Sequence, residues 1–190
     1  MSEEMPESIT LTDPKALRAY AHPLRMALMG LLRREGPLTA TQAAERLGES
    51  VPNCSFHLRQ LAKYGLAERS EGADAREKPW RATARYTSWS TGSDDPEIFE
   101  AALAVTRVQI GRYFTYAQDW LARAHEESAE WREQLGAGDY LLHLTPDELR
   151  QITERIEAIM AEFDNRETIP EGARAVSLFQ LAVTNERPVP

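Results

Sequence analysis

The sequence predicts a mainly α-helical protein with a small β-wing in its first half. Three observations indicate this fold class: apolar residues recur at helical spacing along most of the 190 residues, capping residues mark helix starts, and one β-rich stretch surrounds a polar loop. The hydrophobic share of 42% and the charged share of 27% are those of ordinary globular domains. We therefore expect the chain to fold around a core.

The first helices have readable ends. Asp13 followed by Pro14 pairs a capping side chain with a proline at the first helical position. Pro23 starts a second helix, which the pair Gly36-Pro37 stops. Its apolar residues recur at helical spacing: Leu24, Leu28, Leu31 and Leu32.

Two helices joined by the three residues GES follow. Thr39 and Gln42 fit a capping box that opens the short helix AAERL, which Gly48 closes. Ser50 can cap the next helix. Its apolar residues recur at i, i+4 and i+7: Cys54, Leu58 and Leu61. This arrangement is typical of a helix-turn-helix.

A hairpin is predicted directly after these helices. The stretches 66–70 and 80–89 carry β-branched and aromatic residues around the polar loop EGADAREKP. Three helices, a helix-turn-helix and a hairpin together make a winged helix.

The rest of the chain is predicted to hold a long helix and a small α+β region. Residues 97 to about 131 keep helical spacing, and a small winged helix cannot cover their apolar stripe, so either the C-terminal segment or a second copy of the chain could bury it. A second capping box, Thr145 to Glu148, opens a further helix, and ARAVSLFQLAV fits a strand. We predict a winged helix-turn-helix domain over 10–91, a long dimerisation helix over 92–132, and an acidic helix-plus-strand region over 133–190 that is a possible effector module.

The net charge of −8 hides a division along the chain. Residues 91–190 hold 9 basic and 19 acidic residues, a net −10, whereas residues 13–90 hold 13 basic and 8 acidic residues, a net +5. This asymmetry indicates a basic functional segment joined to an acidic one.

Several classes of protein are disfavoured. The N-terminal MSEEMPES is acidic where a secretory signal is basic and then apolar, and no apolar run approaches a membrane span, so we expect a cytoplasmic protein with no membrane partner. One cysteine excludes an intrachain disulfide. Nucleophile-elbow, phosphate-loop and zinc-protease motifs are missing, so we expect no enzyme, no catalytic residues and no cofactor.

The segment AYAHPLRMALMGLLRREGPLTATQAAERLGESVPNCSFHLRQLAKYGLAE resembles the ArsR/SmtB-type transcriptional repressors. The Ala-His-Pro-Leu-Arg start, the Ser-x-Pro-x-x-Ser-x-His-Leu recognition helix and the Leu-x-x-x-Gly-Leu exit carry the resemblance, which covers about residues 13–88. It implies a homodimer that binds double-stranded operator DNA and releases it when a signal arrives.

The sequence departs from that family where metals bind. Metal-sensing members carry a Cys-x-Cys type motif before the recognition helix, and TATQAAERLGES has no Cys or His. Other members place Asp, His and Glu ligands on the dimer helix, where this chain has only His125, followed by Glu126 and Glu127. We therefore expect no metal and an unknown, non-metal effector.

The recognition helix should expose polar and cationic side chains opposite its apolar positions. Arg59 can bond guanine in a bidentate manner, Asn53 or Gln60 can bond adenine, and Phe56 can contact a thymine methyl. Basic residues of the wing suit phosphate contacts. The predicted DNA-binding residues are Thr39, Gln42, Ser50, Pro52, Asn53, Ser55, Phe56, Arg59, Gln60, Lys63, Arg76, Lys78 and Arg81.

Cys54 and His57 have the spacing of half a metal site. Such a site would need at least two further ligands. A lone cysteine on the apolar side of a helix is more often a small core residue, so we expect Cys54 to face inward and His57 to bond a backbone group or a phosphate.

Aromatic residues cluster in and after the long helix: Tyr113, Phe114, Tyr116, Trp120 and Trp131. They can form a dimer core or line an effector pocket. The sequence thus predicts a homodimeric, sequence-specific DNA-binding regulator, a repressor, acting on a pseudo-palindromic operator. Two alternatives are a winged-helix protein-interaction adaptor and a small-molecule-binding protein built on these aromatics.

Overall fold

The computed structural model describes residues 6–70, 78–164, 166 and 168–185. The chain divides into two compact units, Met1–Ala122 and Arg123–Pro190. The helices are α1 Pro14–Tyr20, α2 Pro23–Glu35, α3 Ala40–Leu47, α4 Val51–Lys63, α5 Pro96–Arg123, α6 Ala129–Gln134 and α7 Pro146–Asp164. The strands are β1 Ser8–Thr10, β2 Ala67–Arg69, β3 Trp80–Ala82 and β4 Tyr86–Ser88.

Side-chain caps fix where the helices of the first unit begin. Asp13 accepts the Ala16 amide at 2.9 Å at the start of α1. At the start of α2 the cap is His22, whose Nδ1 accepts the Leu24 amide at 3.1 Å. These bonds satisfy donors that the first turn of a helix leaves unpaired, and Pro14 and Pro23 lack such a donor. The predicted starts of both helices are thereby confirmed.

One apolar core unites the helices of the first unit. Leu17 of α1, Leu28 of α2 and Leu58 of α4 are fully buried in the same cluster. The N-terminal half of α5 joins this cluster through Ala101, Ala102 and Val105. Small side chains let α5 approach closely, so the start of α5 is part of the winged-helix core.

The wing differs from the predicted hairpin. Strands β2 and β3 pair antiparallel, with Arg69 opposite Trp80, as expected. The predicted second strand, 80–89, is however broken after Ala82. The Thr83 amide still donates to the Leu66 carbonyl at 3.2 Å, but the Thr83 hydroxyl donates to the Gly65 carbonyl at 2.6 Å and the Ala84 carbonyl accepts from Arg33 Nε at 3.0 Å, so the pairing ends here.

After this break the chain pairs with a strand that the sequence did not reveal. Strand β4 lies parallel to β1, with Ile9 opposite Thr87. The Leu11 amide donates to the Ser88 carbonyl at 2.8 Å and extends the pairing. Strand β1 of the N-terminal segment is therefore held to strand β4 by backbone hydrogen bonds.

The long helix ends earlier than predicted. Helix α5 stops at Arg123, a 3-10 turn follows over Ala124–Glu126, and Ser128 caps α6 by accepting the Trp131 amide at 3.4 Å. The expectation of one helix from 97 to about 131 is wrong, because the serine cap starts a new helix within the predicted span.

The second unit contains the predicted capping box but not the predicted strand. Thr145 and Glu148 bond each other's backbone at the start of α7, at 2.8 and 3.3 Å. ARAVSLFQLAV, residues 173–183, is not a strand, and its side chains are exposed. Alternating apolar residues define a face, but a strand also needs a second strand to pair with, and no strand in the described part of the chain pairs with this segment. The three-part division at 91 and 132 stays a prediction.

Within the described ranges, no helix is long and apolar enough to cross a membrane.

Candidate nucleic-acid interface

Helices α3 and α4 form a helix-turn-helix whose turn is set by one glycine. Gly48 adopts a left-handed conformation with φ 65°, which costs a residue without a Cβ little. The chain then reaches Ser50, whose hydroxyl accepts the Asn53 amide at 3.3 Å and starts α4. The turn and the cap together fix the direction in which α4 leaves α3.

The buried side of α4 sets which residues face outward. Cys54, Leu58 and Leu61 are fully buried, which confirms that Cys54 faces inward. On the opposite side Phe56 is 49% exposed, an unusual exposure for a phenylalanine. The remaining predicted readers divide into exposed side chains, Pro52, Arg59 and Lys63, and half-buried ones, Asn53, Ser55 and Gln60.

Two hydrogen bonds organise this outward surface. Arg59 donates to the Ser55 hydroxyl at 3.0 Å, one turn earlier on the helix. Asn53 donates through Nδ2 to the Glu49 carboxylate at 2.9 Å. The carboxylate was not anticipated from the sequence, where Glu49 reads only as a residue of the turn. Because this bond uses the side-chain N–H of Asn53, the side-chain Oδ1 of Asn53 can accept a hydrogen bond from another group.

The predicted contacts at helix starts already serve as caps. The Thr39 backbone amide donates to Gln42 Oε1 at 2.9 Å, and the Gln42 backbone amide donates to Thr39 Oγ1 at 3.2 Å. The capping box is confirmed, and it holds both side chains against the backbone. Their part in DNA binding stays a prediction.

The wing strands bring further cations to the described surface. The Arg69 guanidinium stacks on the Trp80 ring at 3.8 Å and donates to the Lys78 carbonyl. Arg81 instead forms an ion pair with Glu68 at 2.7 Å. Arg76 lies outside the described residues. Lys78 is exposed.

Arg69 and Arg59 are close enough to repel each other. Burial lowers the pKa of Arg69, and the positive charge of Arg59 lowers it further. The electrostatic repulsion between two neighbouring cations is relieved when an anion binds between them. Arg69, one of the basic wing residues that suit phosphate contacts, therefore belongs to the same positive surface as Arg59.

His57 is buried in a stack of rings and not bonded to a backbone group. Its ring lies 4.4 Å from the His22 ring, with Phe56 edge-on at 5.1 Å on another side. The nearest polar contact joins its Nδ1 to Arg25 NH1 at 3.4 Å. The expectation of a backbone bond is wrong, because the His57 ring packs against the His22 ring where α2 meets α4. The alternative expectation, a phosphate contact, stays a prediction.

Neither Cys54 nor His57 has the surroundings of a metal ligand. Burial raises the pKa of the Cys54 thiol, and the Glu49 carboxylate raises it further, so the thiol stays protonated. No group of three or more metal-ligating side chains occurs in the described part of the chain.

The ring stack predicts a pH dependence of folding. Burial lowers the pKa of both His22 and His57 below 6.5, and the positive charge of Arg25 lowers both further. Each Nδ1 also faces an N–H donor, from Leu24 or Arg25. The folded protein therefore favours neutral rings, while the unfolded chain takes up protons near pH 6.5.

We expect the free energy of unfolding to be highest above pH 6.5 and to fall as the pH drops below it, which urea titrations at constant ionic strength would measure. The acidic groups with lowered pKa values titrate at lower pH. His57→Gln should flatten the slope between pH 6.5 and 5.5, whereas His143→Gln, an exposed control, should not. An equal slope in all three proteins would contradict the assignment.

The predicted aromatic residues fall in both units of the chain. Phe114 is 65% exposed on α5, and Tyr116 accepts a hydrogen bond from Arg112 at 2.8 Å. Trp131 belongs to the second unit, where the Arg174 guanidinium lies 4.8 Å from its ring. Tyr113 and Trp120 are half-buried. A role for these residues in effector binding stays a prediction.

Residues 20–70 match the family model described as a helix-turn-helix domain. The match spans α2, α3, α4 and β2. With the wing, it confirms the predicted winged helix-turn-helix and supports a DNA-binding transcriptional regulator. Membership of the ArsR/SmtB type stays a prediction.

Among solved structures, the chain is similar to YusO from Bacillus subtilis, with 19% identity over 78% of this chain and 83% of that one and a TM-score of 0.33. A variant of Lactococcus lactis ZitR has 18% identity over 74% and 73%, with a TM-score of 0.32. A variant of S. aureus MepR bound to an oligodeoxyribonucleotide has 17% identity over 78% and 87%, with a TM-score of 0.31. These similarities are too slight to support an inference about this chain. A comparison with curated proteins gives no match.

Proposed function

We propose that the protein is a sequence-specific transcriptional regulator of the ArsR type, a homodimeric repressor that binds a pseudo-palindromic operator. The main support for this proposal is the outward surface of α4. Phe56 and Arg59 are exposed there, while the opposite side of the helix is buried in the core. A rigid helix with short polar groups near its start and a cation one turn later suits the major groove.

Each reader has a partner that its chemistry favours. Arg59 presents two N–H groups to the N7 and O6 of guanine, Asn53 or Gln60 can bond adenine, and Phe56 can meet a thymine methyl. Arg69 and Lys78 bind phosphates, which position the protein without reading sequence. The Ser55 hydroxyl orients Arg59 before DNA arrives, which reduces the entropy lost on binding.

The charge distribution along the chain supports DNA binding by residues 13–90. The net +5 of residues 13–90 attracts the phosphate backbone, whereas the net −10 of residues 91–190 is repelled by it. Binding should therefore weaken steeply as salt is raised.

A second copy of the chain is the partner that fits α5. Beyond the part buried in the winged-helix core, α5 carries an apolar stripe on its opposite side: Leu103, Ile110, Phe114, Ala117 and Leu121. Phe114 and Leu121 are 65% and 64% exposed. Two such stripes packed about a two-fold axis would bury each other and place two copies of α4 in successive major grooves.

Phe114→Glu should convert the dimer into a monomer, since it places a charge in the centre of the proposed interface. Light scattering after size exclusion measures this directly. Ala122→Glu adds the same charge to the same helix away from the stripe, and should leave the dimer intact. A wild-type protein that is already monomeric would rule out the interface.

The proposed function is tested by mapping the DNA that the protein protects across its host genome, followed by gel shifts of one recovered site. We expect a two-fold symmetric sequence, bound far more tightly than scrambled DNA of equal length. Equal affinity for both DNAs at every salt concentration would instead favour an adaptor that binds a basic protein. A small molecule that copurifies while all DNA is ignored would favour a carrier.

A further inference from the structure

A groove of ≈ 430 Å³ lies in the first unit, against the start of the recognition helix. Its walls come from the start of α2, the end of α3, the first turn of α4 and the middle of α5. The lining residues that matter below are Leu24, Ala27, Leu47, Asn53, Arg112 and Tyr116. The volume falls within the range of small-molecule sites.

We propose that this groove binds a small organic acid, with an apolar body over α2 and α3 and its anionic group on Arg112, and that its occupancy changes DNA binding by α4. The regulatory half of this proposal rests on the proposed function; the binding half does not.

The charge of the ligand follows from Arg112. Its guanidinium donates to the Tyr116 hydroxyl at 2.8 Å and lies 5.6 Å from the centre of the Tyr116 ring. Glu49, the carboxylate that lines the same groove, is bonded to Asn53, and within the described part of the chain no carboxylate pairs with Arg112. A half-buried guanidinium without a counter-ion is an anion site, since it offers further N–H donors in a planar fork that matches a carboxylate.

The apolar residues that line the groove indicate that the body of the ligand is apolar. Leu24, Ala27 and Leu47 present side-chain carbons to the groove, and the Pro23 ring extends this surface. Burial of apolar ligand atoms against this wall removes them from water and favours binding, whereas a fully polar ion has no apolar surface to bury there. An inorganic anion would satisfy Arg112 alone.

Two contacts connect the groove with the reading surface. Asn53 and Glu49 both line the groove, and they are hydrogen-bonded to each other at the start of α4. His22 also lines it, and its ring stacks on His57, which contacts Phe56 edge-on. A ligand in the groove therefore touches groups that set the positions of two readers, Asn53 and Phe56. If the ligand and the DNA bind best to different conformations of α4, the ligand changes the affinity for DNA.

The test uses the nitrogen-15-labelled full chain without DNA, titrated with 1-naphthoate and with its neutral isostere 1-naphthamide. We expect saturable amide shifts at Leu24, Leu47 and Asn53, and about tenfold weaker binding of the neutral compound. Arg112→Gln should weaken naphthoate by a similar factor while leaving naphthamide unchanged. Arg107→Gln, which removes an exposed cation of the same helix outside the groove, should change neither.

Shifts confined to other residues, or equal naphthoate affinity for wild type and Arg112→Gln, would overturn the site. A second titration measures DNA affinity with the groove empty and saturated, where we expect a change of about fivefold or more that Arg112→Gln abolishes. Unchanged DNA affinity with the groove occupied would overturn the regulatory half. A protein that binds naphthoate but no DNA would refute the proposed function and leave the site standing.

Discussion

Leu58→Ala should destabilise the first unit by about 2–5 kcal/mol, the largest effect that we expect from one substitution in the recognition helix. Leu58 is fully buried, between helices that supply Leu28 and Leu31 from α2 and Leu17 from α1. Removing its side chain leaves a cavity that these neighbours cannot all fill, because the backbone of α4 is held by its cap and by Cys54 and Leu61.

Urea unfolding followed by circular dichroism measures this loss. Leu178→Ala is the matched control, because Leu178 is 69% exposed and its truncation should cost less than about 0.5 kcal/mol. A loss below about 1 kcal/mol for Leu58→Ala would show that α4 is not anchored through this residue.

Arg59→Ala should weaken binding to the operator by about 1–3 kcal/mol, which is roughly a five- to 150-fold rise in Kd. Arg59 is exposed, and within the described part of the chain its side chain donates a hydrogen bond only to Ser55 of the same helix, so its removal should leave the fold intact. The loss should appear in binding alone.

Fluorescence anisotropy at fixed salt gives the two dissociation constants. Arg150→Ala removes one exposed cation from α7, where Arg150 pairs with Asp147 and Glu154, and should leave DNA binding unchanged. An Arg59→Ala protein with the affinity of the wild type would exclude Arg59 from the reading surface.

Local chemistry made α4 predictable. The spacing of Cys54, Leu58 and Leu61 defines one face, and Ser50 and Gly65 mark the two ends, so all the information lies within one short segment. Because burial of one face exposes the other, the outward position of Phe56 and Arg59 followed as well.

Contacts between distant segments could not be predicted in this way. Ile9 pairs with Thr87, and Arg33 bonds the Ala84 carbonyl and the Thr87 hydroxyl, yet nothing in the local pattern of either segment specifies the other. The strand expected in ARAVSLFQLAV failed for the same reason, since periodicity cannot supply a pairing partner.

The site was predicted in part. Its outward readers on α4 came from helical periodicity, whereas the bond of Glu49 to Asn53, the stacking of Arg69 on Trp80 and the ring stack of His22 with His57 depend on how the side chains pack in the fold. The groove is a further case, since Arg112 and Asn53 come together only after α5 docks on the core. Such juxtapositions need the fold before they can be seen.

The most direct test of DNA reading by α4 is selection from randomised duplexes with the wild type and with Arg59→Ala, followed by sequencing. We predict that the wild type selects a two-fold symmetric site and that Arg59→Ala loses a guanine preference at one symmetry-related pair of positions while keeping the others. The same preference at every position in both proteins would contradict the proposal that the outward surface of α4 reads the operator through Arg59.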